Sequence, residues 1–507
     1  MKQIFKYGII IASLFVIPSC EKGLGEINEN KVDPTSLDPL FQLNFSIVNV
    51  SLPTSSVIYD MGIVQQIVSP NGGVLAGANF NQDNRSPLTS VWQTMYRNVI
   101  RNTRDVIKNS ASAPDRANLK NMARILQAYT FMLLTDTQGD IPYSEAGLGF
   151  TEQNFLPKYD AQQAVYTDLI KELTEASAEL NATGKIESGD LLYGGNIAQW
   201  KKFGYALLLR AGMRLTKVDA ALAETTVKAA FAGGVILDNA DNALIRHDVN
   251  YQNPIGGMLN GTEAANFFLA KPFVDELKNT NDPRLSAIAI RYVGATSGPG
   301  QTPASGNTAS NMQNGMPMGK DNSTAPAAAT ADGLASYYEY SQVDRRRMAK
   351  PASPAFMVTA GQSNLLLAEA TQRGWITASP AAVYFANGIR AHMEQLATFD
   401  AASAVPSGSI TTYLAATPLV PTTALQQINT QYWIASFLNG TEAWANFRRS
   451  GFPALTANPY VGDIPAGTFI RRITYPVSEI SVNTTNVNEA IGRQGADRMD
   501  TRVWWDK

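Results

Sequence analysis

From Leu88 onward the apolar residues recur with the period of a helix rather than a strand, and no other feature limits the fold so strongly. In LTSVWQTMYRNVIRNTRDVIKN, Trp92, Met95, Tyr96, Val99, Thr103 and Val106 fall on one helical stripe. A second helix opens with Ser112 and Asp115 in capping-box spacing and carries Leu119, Met122, Leu126, Tyr129 and Leu133. A third starts at Asp160 and buries Tyr166, Leu169, Leu173 and Leu180; a fourth carries Trp200, Phe203, Gly204, Leu207 and Leu215. Two later pairs join Leu365–Arg373 with Pro380–Leu396, and Leu425–Leu438 with Glu442–Arg448. The periodicity predicts a mainly α chain of helix pairs, without a strict 34-residue repeat. Strand-like runs are few: Val235–Leu237, Ala243–Arg246 and Phe469–Tyr475. Trp92, Trp200, Trp375, Trp433 and Trp444 lie on helical stripes and read as core, whereas Trp504 and Trp505 pin the C-terminus.

Two segments break the helical pattern. Residues 294–344 are rich in Gly, Pro, Ala, Ser, Thr and Asn and end in Tyr337-Tyr338-Glu339-Tyr340, so they read as a long loop insertion. A shorter Asn/Gly-rich loop runs from Ser69 to Pro87.

The N-terminus has a different character. Lys2 and Lys6 precede an apolar run from Tyr7 to Ile17, which is signal-peptide length and short for a membrane span. It ends at Ile17-Pro18-Ser19-Cys20, and Cys20 is the only cysteine. A lone thiol directly after such a run reads as a lipobox cysteine, with Ile17 where Leu is usual and Pro18 where a small residue is. This predicts a lipoprotein signal peptide over 1–19, a lipidated tether over 20–37 and a single domain over 38–507. Acyl chains contribute about 0.8 kcal/mol per buried CH₂, enough for stable anchoring to a membrane.

Charge and chemistry narrow the function. Lys+Arg 41 against Asp+Glu 43 leaves a net charge of −2, without the basic stripe that nucleic acid requires. With two histidines far apart and Cys20 committed to lipid, no zinc-ligand spacing or Cys/His nucleophile can be assembled. The sequence implies no metal and no cofactor. The stretch TDTQGDIPYSEA places Asp136, Asp140 and Glu145 within twelve residues, open to reading as ligands, an acid/base pair or a helix end. Its spacing departs from the EF-hand pattern, although a carboxylate pair for glycoside hydrolysis is not excluded by spacing. Gly139 suits a helix C-terminus and Pro142 stops continuation, which favours a rigid corner whose carboxylates take backbone N–H groups.

Three blocks, LLTDTQGDIPYSEA, LPKYDAQQAVYTDLIKELTEA and GDLLYGGNIAQWKKFGYALLLRAGMRL, together resemble the SusD/RagB family of nutrient-binding outer-membrane lipoproteins, in its SusD-like branch. LLLAEATQRGW, QYWIASFLNGTEAWANFRRSGFPAL and IRRITYPVSEISVNTTNVNEAI continue the resemblance in family order. The departure is Phe203-Gly204-Tyr205-Ala206, where relatives carry an Asn-Ser pair. The resemblance implies a SusD-like fold: four TPR-like helix pairs under a loop-rich second layer, with no catalysis. It also implies an exterior-facing outer-membrane protein that captures oligosaccharide for a SusC-like TonB-dependent transporter. Peptide capture, known among relatives, is the alternative, and glycan hydrolysis a third reading. Matching family ligand loops by position gives Phe80, Asn81, Asp83, Arg85, Tyr338 and Tyr340 as candidate sugar contacts, with Phe80 and the tyrosine cluster as opposite aromatic walls.

Overall fold

A computed structural model describes residues 37–51, 54–72, 76–261 and 264–507, so Cys20 and nearly all of the tether lie outside the described residues. The helical stripes become a scaffold of α1 (Arg101–Ala111), α2 (Ala117–Gln138), α3 (Gln162–Glu179), α4 (Ile197–Arg214), α5 (Ala220–Gly233), α6 (Ala360–Gln372), α7 (Ala381–Gln395), α8 (Ala424–Ala435) and α9 (Gly440–Ser450). Neighbours in sequence pack together: α1 on α2, α2 on α3, α3 on α4, α4 on α5, α6 on α7 and α8 on α9. Contacts of α4 with α6, and of α6 with α8, join the earlier helices to the later ones. One buried cluster runs through all of them, from Leu43 to Trp505, and Trp200, Trp433, Trp444 and Trp505 are its largest fully buried apolar side chains. Trp375, expected in the core, lies beyond the end of α6 and is only half-buried, with the Arg373 guanidinium 5.4 Å from its ring centroid.

Local chemistry explains several helix ends and crossings. Thr359 and Gln362 form a reciprocal capping box at α6, and the Asn196 side chain accepts from Gln199 N at 3.2 Å at the start of α4. Gly204 lets α4 approach α3 closely, because a Cβ there would meet Ser177 Oγ at 2.0 Å. The Phe203–Ala206 stretch thus sits at a tight helix contact.

Some expected boundaries are corrected. Ser112 does not cap the second helix; its hydroxyl donates back to Asn109 O at 3.2 Å, and α2 begins at Ala117 after a 3₁₀ turn over Pro114–Arg116. Asp160 does not open α3. It sits in a two-residue strand paired with Ile141–Pro142, and the cap on Gln162 N comes from Asp140, at 3.0 Å. Ala243–Ile245 is a strand, paired with Ala355–Val358, but Val235–Leu237 and Phe469–Tyr475 are extended without a ladder. In the latter, Arg471 N and Ile473 N donate to Met499 O (2.6 Å) and Thr137 O (2.8 Å), two unrelated segments.

Residues 294–344 are also more ordered in pattern than a plain loop. Ala289–Tyr292 pairs with Gly306–Asn307 on one side and Gln342–Val343 on the other. The helix Ala325–Ala331 then packs Ala325 and Ala329 against Phe268, Met316, Met318 and Tyr340 in a small core of its own. Few large apolar residues are needed because alanine lets the backbone of that helix come close.

Candidate functional site

The three carboxylates of the TDTQGDIPYSEA corner all have structural partners. Asp136 is buried and accepts from the Tyr166 hydroxyl, from Trp505 Nε1 at 2.9 Å and from Arg214 Nε at 3.1 Å. Asp140, besides capping α3, pairs with Arg493 Nε at 2.9 Å. Burial raises the pKa of both, with the neighbouring Arg214 opposing it at Asp136 and the Gln162 N–H opposing it at Asp140. Glu145 accepts from Lys158 N and Asn154 Nδ2, each at 3.0 Å, and those bonds hold its pKa below the usual range. Gly139 takes φ +88° at the turn, and Tyr143 closes the gap with its ring 4.5 Å from Phe131. The corner reading of this stretch agrees with every one of these contacts.

The Ser69–Pro87 loop and the insertion are brought together by Asn79. Its Nδ2 donates to Ser69 O (2.7 Å) and Lys320 O (2.9 Å), while its Oδ1 accepts from Gly319 N (2.9 Å). A third segment, around Asn458–Asp463, completes the junction. Asn458 Nδ2 donates to Asn79 O at 2.7 Å, Asn81 Nδ2 to Tyr460 O at 2.7 Å, and Asp463 N to Asn81 O at 2.8 Å. Sequence reasoning missed this third segment. Its signal was the run Asn458-Pro459-Tyr460 followed by Gly462, where a Cβ would lie 2.2 Å from Phe80 O.

Phe80, expected to offer an open aromatic face, is 3% exposed and meets Tyr460 edge-on at 4.7 Å. Asn81 is buried in the asparagine exchange just described, with φ +51°. Asp83 accepts from Thr474 Oγ1 (2.6 Å) and Arg85 Nε (2.9 Å), and Arg85 also reaches Asp497 Oδ2 at 2.8 Å. These four residues therefore tie the segment to the C-terminal part of the chain. The segment includes the short helix Ala76–Phe80 rather than being loop throughout, and the side-chain polar groups of Asn81, Asp83 and Arg85 are occupied there. Tyr340 is fully buried, its hydroxyl donating to Asp332 Oδ2 at 2.7 Å, and burial together with that bond raises its pKa.

Tyr338 has a different setting. It is half-buried and stacks on half-buried Tyr337 with centroids 4.3 Å apart and planes 28° apart. Tyr337 rests on the Phe268–Met316 cluster and Tyr338 on Ile290, Tyr292 and Ala295, so the pair straddles two small cores. The turn below is fixed at both ends: Ser336 Oγ accepts from Tyr338 N at 3.1 Å and donates to Ala295 O at 2.7 Å. Gln301 Nε2 adds a bond to Tyr338 O at 2.9 Å. Burial and the adjoining Tyr338 phenol push the Tyr337 phenol up to about 12, leaving it neutral at physiological pH. The arrangement is a rigid aromatic ledge with phenol groups for hydrogen bonding, suited to a flat ligand with apolar faces and polar edges. Among the described residues, no group of three or more His, Cys, Asp or Glu side chains is placed to hold a metal ion.

Comparison with known proteins agrees with this architecture. A chitin-binding protein superposes with a TM-score of 0.81 at 31% identity, covering 93% of this chain and 100% of its own. A chitin-binding SusD homolog from Flavobacterium johnsoniae gives 0.74 at 26% identity, over 92% and 98% of the two chains. A SusD homolog from Bacteroides uniformis, at 23% identity, shares the fold with a TM-score of 0.74 over 92% and 98%. A search of curated proteins gives no match. Residues 42–476 match the SusD-like family described as "Starch-binding associating with outer membrane", and the chain belongs to that family.

Proposed function

We propose that this protein is a lipid-anchored, exterior-facing lipoprotein of the outer membrane that captures oligosaccharides and passes them, uncleaved, to a SusC-like TonB-dependent transporter. The observation that carries the reading is the Tyr337–Tyr338 ledge: a stacked, half-exposed aromatic pair held by a fixed turn on a family scaffold of glycan-binding relatives. Sugar rings place C–H groups on such faces and hydroxyls at their edges. The chitin-binding relatives make a chitin oligosaccharide the first ligand to test. In this reading Cys20 carries the lipid, residues 20–37 form the tether, residues 38–507 form one binding unit, and the four helix pairs act as TPR-like units. Tyr338 is a ligand contact; Phe80, Asn81, Asp83, Arg85 and Tyr340 support the loops from within.

Calorimetric titration with chitohexaose, maltohexaose and mixed oligopeptides tests the ligand class. Binding of a glycan with no change in its chain length is the expected result. Binding of peptides alone would establish peptide capture, and release of shorter sugars that ceases on replacing one carboxylate would establish a hydrolase. Replacing Cys20 by Ala should leave the protein unlipidated and free of the membrane fraction.

A further inference from the structure

A second cleft, of about 520 Å³, opens between the start of the helical scaffold and the TDTQGDIPYSEA corner. That volume falls within the range of small-ligand sites. Its walls combine Tyr96, Pro142, Pro157 and the rim residue Phe155, which is 74% exposed. The Tyr96 hydroxyl is already committed to Pro142 O at 2.7 Å, so its ring edge is fixed. Gly147 and Gly149 line the floor, leaving backbone there without side chains.

What marks this cleft is charge. Arg97 and Arg101 both line it, about one turn apart, and both are exposed. Among the described residues neither guanidinium has an ion-pair or hydrogen-bond partner, while Arg104, further along α1, is held by Tyr143 O at 2.8 Å. Asp105 feels the Arg101 charge without forming an ion pair with it. Glu479, the carboxylate among the lining residues, is engaged by the Tyr159 hydroxyl at 2.8 Å. The segment bearing Arg97 is a π-helical turn, Met95–Ile100, an uncommon conformation that recurs at functional sites. Two free guanidinium forks beside aromatic and proline faces match one ligand chemistry: a sugar ring carrying a carboxylate or a sulfate, since both anions accept paired N–H bonds from arginine.

We propose that the cleft lined by Arg97, Arg101, Tyr96 and Phe155 is a second saccharide site, selective for an anionic sugar unit. It shares no residue with the Tyr337–Tyr338 ledge, and the two sites can fail independently.

The test titrates the protein with trigalacturonate, a sulfated galactose trisaccharide and neutral chitotriose at low and moderate salt. At least one anionic probe should bind, and more weakly as salt rises. The Arg97→Gln/Arg101→Gln double variant should weaken that binding by about tenfold or more, with chitotriose affinity and melting temperature unchanged. Tyr338→Ala should leave the anionic affinity intact. Comparing the two anionic probes tells carboxylate from sulfate as the preferred group. Failure of both to bind better than chitotriose, or an undiminished anionic affinity in the double variant, would overturn the proposal while leaving the ledge untouched.

Discussion

The helical scaffold and the loop layer both bury many polar groups, yet they satisfy them by opposite means. Inside the scaffold the charges pair with each other. Glu369 takes Arg449 in a fork at 2.8 and 2.7 Å and adds Asn429 at 3.0 Å; Glu442 takes Arg214 at 2.5 Å, Arg210 at 3.2 Å and the Tyr432 hydroxyl at 2.7 Å. In the loop layer, beside the partly exposed Asp83–Arg85–Asp497 pairs, the buried junction is made by neutral amides: Asn79, Asn81 and Asn458 bridge backbone groups of three separate segments. The reason is geometric. Helical backbone largely satisfies itself. A buried carboxylate or guanidinium between helices therefore draws most of its partners from other side chains, and a guanidinium also from carbonyls outside its own helix. Loop backbone has spare donors and acceptors, and an amide offers both at once. Damage should therefore scale with the charge left stranded, large in the scaffold and modest in the loops.

The sharpest break is Glu369→Ala, which strands the Arg449 guanidinium in a fully buried site. Loss of one partner from such a pair costs about 3–5 kcal/mol, read as a lower denaturation midpoint at constant slope. The same pair should govern acid stability. Although burial opposes it, Arg449 holds the Glu369 carboxyl at about 2, against 4.5 in its ordinary state. Its contribution is complete above the higher value and disappears as pH falls from 4.5 toward 2. Glu369→Gln should flatten that part of the pH–stability curve; an unchanged curve would mean other carboxylates set it.

Phe80→Ala comes next, at about 3 kcal/mol, the low end for a buried Phe because the loop around it can partly collapse. A melting temperature equal to that of the unmodified protein would show that its ring contact with Tyr460 is dispensable. Asn458→Ala should cost less, about 1–3 kcal/mol, since it leaves neutral carbonyls at Ala78 and Asn79 unpaired rather than a charge. If Asn458→Ala proved as damaging as Glu369→Ala, the contrast between the two layers would collapse.

The same contrast explains what the sequence discloses. Scaffold residues such as Leu169, Trp200 and Leu207 announce themselves by period, because a helix repeats its buried face regularly. The corner at Asp140 is legible as well, since Gly139 and Pro142 constrain the backbone locally. Which helix Asp140 caps is not: its partner Gln162 lies across a two-residue strand that has almost no sequence signature. Phe80, Asn81 and Tyr340 misled for a related reason. Aromatic and amide residues in an irregular, glycine-rich segment look like ligand contacts. Here, instead, Tyr340 fills the insertion's own small core, and Phe80 and Asn81 fasten the 69–87 segment to a distant one. Only long-range pairing, such as Asn81 with the 458–460 segment, decides between the two roles.

The smallest effect on stability belongs to Tyr338, and it separates the two layers most cleanly. Its backbone is tied to Ser336 and Gln301, so truncating the ring leaves the turn in place. The ring is only partly buried, and the Tyr337 ring beneath it keeps its own support on Phe268 at 6.3 Å. Tyr338→Ala removes only a partly buried ring over Ile290, Tyr292 and Ala295 and should cost about 1 kcal/mol or less. An aromatic face contributes about 0.5–1.5 kcal/mol beyond area burial, so affinity for the cognate oligosaccharide should fall several-fold to about tenfold. Tyr340→Ala, two residues on, is the counterpart: its buried ring and hydroxyl hold the small core, and it should lower the melting temperature. Calorimetric titration and thermal melts on both variants read the two effects separately. A Tyr338→Ala protein that binds every glycan as tightly as the original would move the site off the ledge.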